Sequence, residues 1–199
     1  MRLDHVAYRT KNRHKTAEFF KNCFGYALGE GDELTDGGFK LKFPDGTTAD
    51  CLVLVPPEKT WKECSYPTDR TWQPPWVSYG YPNIEFTDIE IQYHLAPEIF
   101  ISDGGPGSIV GKWVDARGGV GGIHHMAYQV DDVKAKMTEW KDKGYAEFAS
   151  EEPLTCPGLT QVFTKPSELT GIIYELIHRE KQGFCKTNVV DLMTSTKDF

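Results

Sequence analysis

Apolar and polar positions alternate along residues 3–10, Leu-Asp-His-Val-Ala-Tyr-Arg-Thr, and the alternation predicts a strand. The period then lengthens. Ala17, Phe20 and Phe24 fall at i, i+3 and i+7, and Phe19 and Cys23 widen the stripe. This predicts a helix over 14–24, stopped by Gly25. Tyr26 to Leu28 opens a second strand. Gly38-Phe-Lys-Leu-Lys-Phe43 alternates as a third, and Pro44-Asp45-Gly46 is a turn. Ala49 to Val55 is a mostly apolar fourth strand, ended by Pro56 and Pro57. The predicted order is β-α-β-β-β.

Residues 58–107 break this rhythm with Trp61, Pro67, Trp72, Pro74, Pro75, Trp76 and Pro82. A strand is expected over 84–93, and Gly104-Gly105-Pro106-Gly107 is a turn. At Ile123 the first pattern returns. Ile123-His-His-Met-Ala-Tyr-Gln-Val130 aligns with residues 3–10, placing His125 on His5 and Ala127-Tyr128 on Ala7-Tyr8. A helix over 133–143 follows, carried by Val133, Met137 and Trp140, and Gly144-Tyr145 matches Gly25-Tyr26. Strands are expected over 158–163 and 171–178, and a short helix over 189–193.

An internal repeat is settled before the fold is named. The expected fold is α+β: two βαβββ modules curled into one half-open barrel around a metal site, with helices outside. The first module spans 1–57, an aromatic- and proline-rich connection 58–117, the second module 118–181, and a C-terminal lid segment 182–199. Pseudo-twofold symmetry sets the two first strands side by side, with His5 and His125 on the inner face.

Strand alternation lets only one of His124 and His125 look inward, and the repeat selects His125. His124 is expected to point away. Glu175 lies inside the apolar run Ile172-Ile173-Tyr174-Glu175-Leu176-Ile177. A carboxylate is seldom buried without a partner, and a metal ion would supply one. Two histidines and one carboxylate make the facial triad of non-haem Fe(II) oxygenases, although Mn, Co, Zn or Mg would suit the same donors. A symmetric fourth ligand would come from the fourth strand of the first module, at or near Cys51. With Cys51 inward the site keeps three protein ligands and favours oxygen chemistry. With Asp50 inward it has four and favours Lewis-acid isomerase or lyase chemistry. His14, His94, Glu90 and Gln92 read as solvated, and His178 falls on the face opposite Glu175.

Composition narrows the partners. The 199 residues carry a net charge of -7 with no basic run, against a nucleic-acid surface. No apolar stretch reaches the roughly 18 residues of a membrane span, and the first residues lack a signal pattern. Five scattered cysteines without a CxxC pair suit reduced thiols in the cytoplasm.

The assembled pieces resemble the vicinal oxygen chelate superfamily. Within it, residues from about 105 onward resemble the catalytic half of 4-hydroxyphenylpyruvate dioxygenases. The matching pieces are Trp113-Val-Asp115, Gly118-Gly119, His125, Gln161-Val-Phe-Thr-Lys-Pro166, Tyr174-Glu-Leu-Ile177, Gln182-Gly-Phe184 and Asn188. The resemblance implies Fe(II) on His5, His125 and Glu175, with Gln161 and Phe163 lining the substrate cavity. It further implies that Phe184 to Asn188 close that cavity and that Cys51 lies near a pocket serine of the family. Val189 stands where the family has a ring-stacking phenylalanine, and Ile109 where it has glutamine. These departures point to a substrate other than hydroxyphenylpyruvate. The expected activity is therefore an Fe(II)-dependent dioxygenase for a 2-oxo acid or similar oxygen-chelating small molecule. The alternatives are a redox-neutral metal-dependent isomerase, epimerase or lyase, and a metal-free binding protein. Both modules are in one chain, which allows a complete site in a monomer and leaves a homo-oligomer open.

Overall fold

The computed structural model describes residues 1–29, 38–56, 96–180 and 183–199. The strand expected over 84–93, the tryptophan and proline cluster between 61 and 82, His94 and Gln182 lie outside the described residues. The elements in chain order are β1 (Arg2–Arg9), α1 (Arg13–Phe24), β2 (Ala27–Leu28), β3 (Gly38–Lys42), β4 (Thr48–Val55) and β5 (Glu98–Asp103). They continue as α2 (Ile109–Ala116), β6 (Gly122–Gln129), α3 (Val133–Asp142), β7 (Leu154–Cys156), β8 (Leu159–Phe163), β9 (Ile173–Arg179) and α4 (Lys186–Ser195).

The described strands form one mixed sheet in the order β2-β4-β5-β1-β6-β9-β8-β7, with β3 also on β4. At its centre β1 and β6 run antiparallel. Each is flanked by a parallel partner, β5 on β1 and β9 on β6. This is the pseudo-twofold arrangement that the repeat predicts, in an α+β fold. One strand falls outside the first module as drawn from the pattern. The parallel partner of β1 is β5, beyond the connection, and 58–117 also contains α2. Residues 98–103 read poorly as a strand because the alternation had already been interrupted for some forty positions.

Local signals explain the helices. Asn12 caps α1 by accepting a hydrogen bond from the Lys15 amide at 3.0 Å, and Asp132 does the same for α3 from Ala135 at 2.9 Å. Gly25 ends α1 at φ 74, a left-handed conformation that glycine adopts without a Cβ clash. The apolar stripe of α1 is narrower in space than in sequence. Ala17 is buried, Phe20 is half-buried, and Phe19 and Phe24 are 53% and 55% exposed.

Alternation divides the sheet into two faces. On the outer face Leu52, Leu54, Ile99 and Ile101 pack with Ala17 of α1, and Val162 and Leu176 pack with Val133 and Met137 of α3. On the inner face Cys51, Val53 and Phe100 pack with Ile109, Val110 and Val114 of α2 and with Val189 and Met193 of α4. Helix α4 touches both β3 and β7, which stand near opposite ends of the strand order. A single ten-residue helix reaches both only because the sheet is curled. The result is a half-open barrel with α4 across its opening.

Candidate metal centre

The inner face of the central strands carries His5 on β1 and His125 on β6, and Glu175 stands on the adjoining β9. All three are buried, at 1%, 8% and 1% exposure. Their ligand atoms converge. His5 Nε2 lies 3.2 Å from His125 Nε2, and each of these nitrogens lies 3.2 Å from Glu175 Oε2. Among the described residues this is the cluster with metal-ligand spacing. Three donors occupying one face of an octahedron with bonds of about 2.1 Å would sit about 3.0 Å apart. The donor set and its spacing fit a divalent ion such as Fe(II), and the remaining face would be open to small molecules.

Two β-bulges aim these side chains. The β1–β6 register shifts between Leu3 and His5, and again between Ala7 and Tyr8. Counting across the first shift leaves Asp4 as the extra residue on β1; across the second, His124 is the extra residue on β6. A bulge turns two successive side chains toward related directions. The expectation that His124 points away is therefore corrected. His124 is 5% exposed, lines the same cavity as His125, and its Nδ1 lies 2.9 Å from His125 Nδ1. Strict alternation holds only for a regular strand, and this one is bulged at that residue.

Each ligand is held from behind. Asp4 Oδ1 accepts a hydrogen bond from His5 Nδ1 at 2.8 Å, which leaves the Nε2 lone pair free to face a metal. Arg179 Nε donates to Asp4 Oδ2 at 2.9 Å, and Arg179 Nη2 donates to Glu98 Oε2 at 2.7 Å. Gln161 Nε2 donates to Glu175 Oε1 at 2.6 Å, so Oε2 is the oxygen left for the ion. Asn188 Nδ2 reaches Gln161 Oε1 at 3.4 Å, tying α4 to this support.

The electrostatics of the cluster favour positive charge beside Glu175. Burial opposes charge on Glu175, but His5 and His125 beside it hold its carboxyl well below the usual range. Burial also opposes charge on His5, yet Glu175 and Asp4 outweigh it and raise His5 to about 9. His125 is depressed to about 4, by burial first. Without an ion, one proton held on His5 balances the carboxylate.

The expected substrate-side residues fall into two groups. Gln161, Phe163 and Phe184 line the cavity with the three ligands. Phe163 lies 4.6 Å from the His125 ring and Phe184 lies edge-on to His5 at 5.1 Å, centroid to centroid. Cys51 is buried at 1% in the apolar cluster behind Phe100, and Asn188 is buried against Gln161; neither is among the residues that line the cavity. Cys51 faces inward. Asp50 faces outward, 3.7 Å from Arg13 Nη1 and 3.4 Å from Lys40 Nζ.

The register relocates the symmetric fourth position. His5 pairs with Glu98 as His125 pairs with Ile173. Two residues further, Ala7 pairs with Phe100 as Ala127 pairs with Glu175. Phe100, not Cys51, is therefore the counterpart of Glu175, and it is a buried apolar ring. Beyond the ligands, the pattern does not mark Asp4, Arg9 or Phe100, and it turns His124 away from the site. Asp4 and His124 sit at bulges, which alternation assigns to the wrong face. Phe100 lies in a strand the pattern lost. Arg9 carried a usable signal: it shares parity with His5 and is a charge on the inner face.

A protein-family model described as Glyoxalase/Bleomycin resistance protein/Dioxygenase superfamily matches residues 4–155. Mitochondrial methylmalonyl-CoA epimerase from Bos taurus is 22% identical over 175 residues, covering 88% of this chain and 73% of that protein. A selenomethionine methylmalonyl-CoA epimerase structure superposes with a TM-score of 0.54 at 20% identity, covering 91% of this chain and 97% of that one. A triple mutant of 4-hydroxymandelate synthase from Streptomyces coelicolor superposes with a TM-score of 0.65 at 17% identity, covering 98% of this chain and 52% of that one. At these identities the structural likeness carries the fold.

Proposed function

The chain belongs to the glyoxalase/bleomycin resistance protein/dioxygenase superfamily, and from that premise we propose that it is an Fe(II)-dependent dioxygenase acting on a 2-oxo acid or a similar oxygen-chelating small molecule. The observation that carries this reading is the make-up of the site. Three protein ligands converge, and Phe100 fills the position where a fourth would stand. Three ligands on one face leave room for a chelating substrate and dioxygen, the arrangement of the two-histidine, one-carboxylate oxygenases. Bound there, Fe(II) would supply the redox change and the coordination sites for the substrate's adjacent oxygens and for dioxygen.

The chain's own residues do the rest. Asp4 keeps the His5 proton on Nδ1, and Gln161 keeps Glu175 turned toward the histidines. Phe163 and Phe184 cover the histidine rings and keep bulk water from the reacting atoms. Helix α4 brings Val189, Leu192 and Met193 to the cavity wall, which gives the substrate an apolar body contact.

A redox-neutral reading has one observation in its favour, the epimerases among the relatives. Epimerisation next to a carbonyl needs a general base within reach of the carbon acid. Among the described residues that line the cavity, Glu175 is the sole carboxylate, and it is committed to the histidines. The two readings separate in a comparison of Fe(II)- and Co(II)-loaded protein under air and under argon. A dioxygenase turns over 2-oxo acids with Fe(II) in air alone. Anaerobic deuterium incorporation into methylmalonyl-CoA by the Co(II) form would overturn the dioxygenase reading.

A further inference from the structure

Arg9 closes β1 on the inner face, four residues beyond His5, and pairs in register with Ser102 of β5 and Gly122 of β6. It is 2% exposed and lines the same cavity as the metal-ligand cluster. Both terminal guanidinium nitrogens, Nη1 and Nη2, are buried without a hydrogen-bond partner. Among the described residues no carboxylate forms an ion pair with Arg9. The guanidinium lies 5.7 Å from the ring of Trp113, which Arg117 also approaches at 4.6 Å. Asp103, next to Ser102, the register partner of Arg9, is engaged elsewhere: it accepts from the Arg13 amide at 2.8 Å and from the Arg13 side chain at 3.0 Å. A buried cation whose terminal nitrogens go unbonded is the arrangement folded proteins avoid. Burial lowers Arg9 to about 9, which still leaves it protonated at neutral pH.

A second donor shares the cavity and the same aromatic neighbour: the His124 ring lies 5.9 Å from that of Trp113. With His125 Nε2 given to a metal, the His125 proton sits on Nδ1 and is donated to His124 Nδ1. The His124 proton is then on Nε2, and that atom too is buried without a partner.

We propose that Arg9, assisted by His124, is the receptor for a second anionic group of the substrate, so that the site takes a 2-oxo acid bearing a distal carboxylate. This rests on the dioxygenase reading for the 2-oxo acid end, and on Arg9 alone for the distal end. The planar fork of two guanidinium nitrogens matches a carboxylate edge with two parallel hydrogen bonds. Strand geometry places the Arg9 and His5 α-carbons about 13 Å apart, so the substrate lies along β1 with one end at the ligands and the other at the cation.

The test is calorimetric binding to Zn(II)-loaded protein, which needs no turnover. The probes are 2-oxoglutarate and 2-oxoadipate against 2-oxovalerate and 2-oxohexanoate, which match them in carbon count but lack the distal carboxylate. Wild type is expected to prefer the dicarboxylates by about 10- to 150-fold, the range for hydrogen bonds to a charged group. Arg9→Met should bring that ratio near one, and Arg9→Lys should restore part of it. Arg9→Met also removes an uncompensated buried charge, so its melting temperature should equal or exceed that of wild type. Equal binding of the two acid classes by wild type would overturn the proposal, as would a preference kept in Arg9→Met. A marked loss of stability in Arg9→Met would overturn it too, by showing that the charge is compensated within the protein. Tighter binding of an analogue with a distal phosphonate would overturn the carboxylate assignment. Failure of the dioxygenase reading looks different: the dicarboxylate preference would stand, with no oxygen consumed by the Fe(II) form.

Discussion

At the scale of single residues, His5 is where folding, protonation and the proposed metal binding meet. Its folded value of about 9 lies above the unfolded value of about 6.5. Its stabilising contribution is therefore fully present below about pH 6.5 and is lost as pH rises through about 9. Metal-free protein should lose about 3 kcal/mol of this contribution between pH 6.5 and 9.5. Chemical denaturation at a series of pH values checks this, with His5→Gln as the reference that lacks the loss. Zn(II) should abolish the pH dependence in this window, because the ion takes the proton's place. Metal uptake at pH 7.5 should accordingly release about one proton per ion. Titration in buffers of different ionisation enthalpy measures that directly. Asp4 holds the His5 tautomer, so Asp4→Asn should weaken metal binding by about 10- to 100-fold while leaving the three ligands in place.

At the scale of elements, what could be read from the sequence depended on periodicity. The repeat was legible because β1 and β6 share the pattern around His5 and His125 and each runs into a capped helix. Glu175 was legible because a carboxylate inside an apolar strand needs a partner. The supports of these residues were hidden by the two bulges. One extra residue at Asp4 and one at His124 reverse the assignment of faces, and nothing in composition marks them. Strand β5 was hidden by distance, so the fourth position was assigned to Cys51 when it belongs to Phe100. That correction yields a prediction. Phe100→Glu places a carboxylate at the position related to Glu175 and should tighten divalent metal binding while lowering oxygen-dependent turnover at least tenfold; unchanged turnover with four ligands would contradict it. Helix α4 supplies the second test at this scale. Leu192 is 3% exposed and packs with Phe163 and Ile173. Leu192→Ala should cost about 2–5 kcal/mol and loosen the cavity wall, read as lower thermal stability together with weaker substrate binding.

At the scale of the whole molecule, the curled sheet explains why this chain needs both of its units. Each module supplies one histidine from its first strand, and the carboxylate comes from the second alone. The asymmetry of a symmetric fold is thus the chemically informative feature: Glu175 on one side and Phe100 on the other. Helices α1 and α3 cover the outer face, and α2 and α4 enclose the inner one, so the ligand set is formed by packing across the full length of the chain. The proposed role of the three-ligand centre is to activate dioxygen against a 2-oxo acid. Oxygen uptake by anaerobically Fe(II)-loaded protein, with a panel of 2-oxo acids, tests it most directly. Uptake stoichiometric with consumption of one of these acids is expected, and none in Glu175→Ala. Iron bound in full by the wild type, with no oxygen consumed on any acid of the panel, would contradict it.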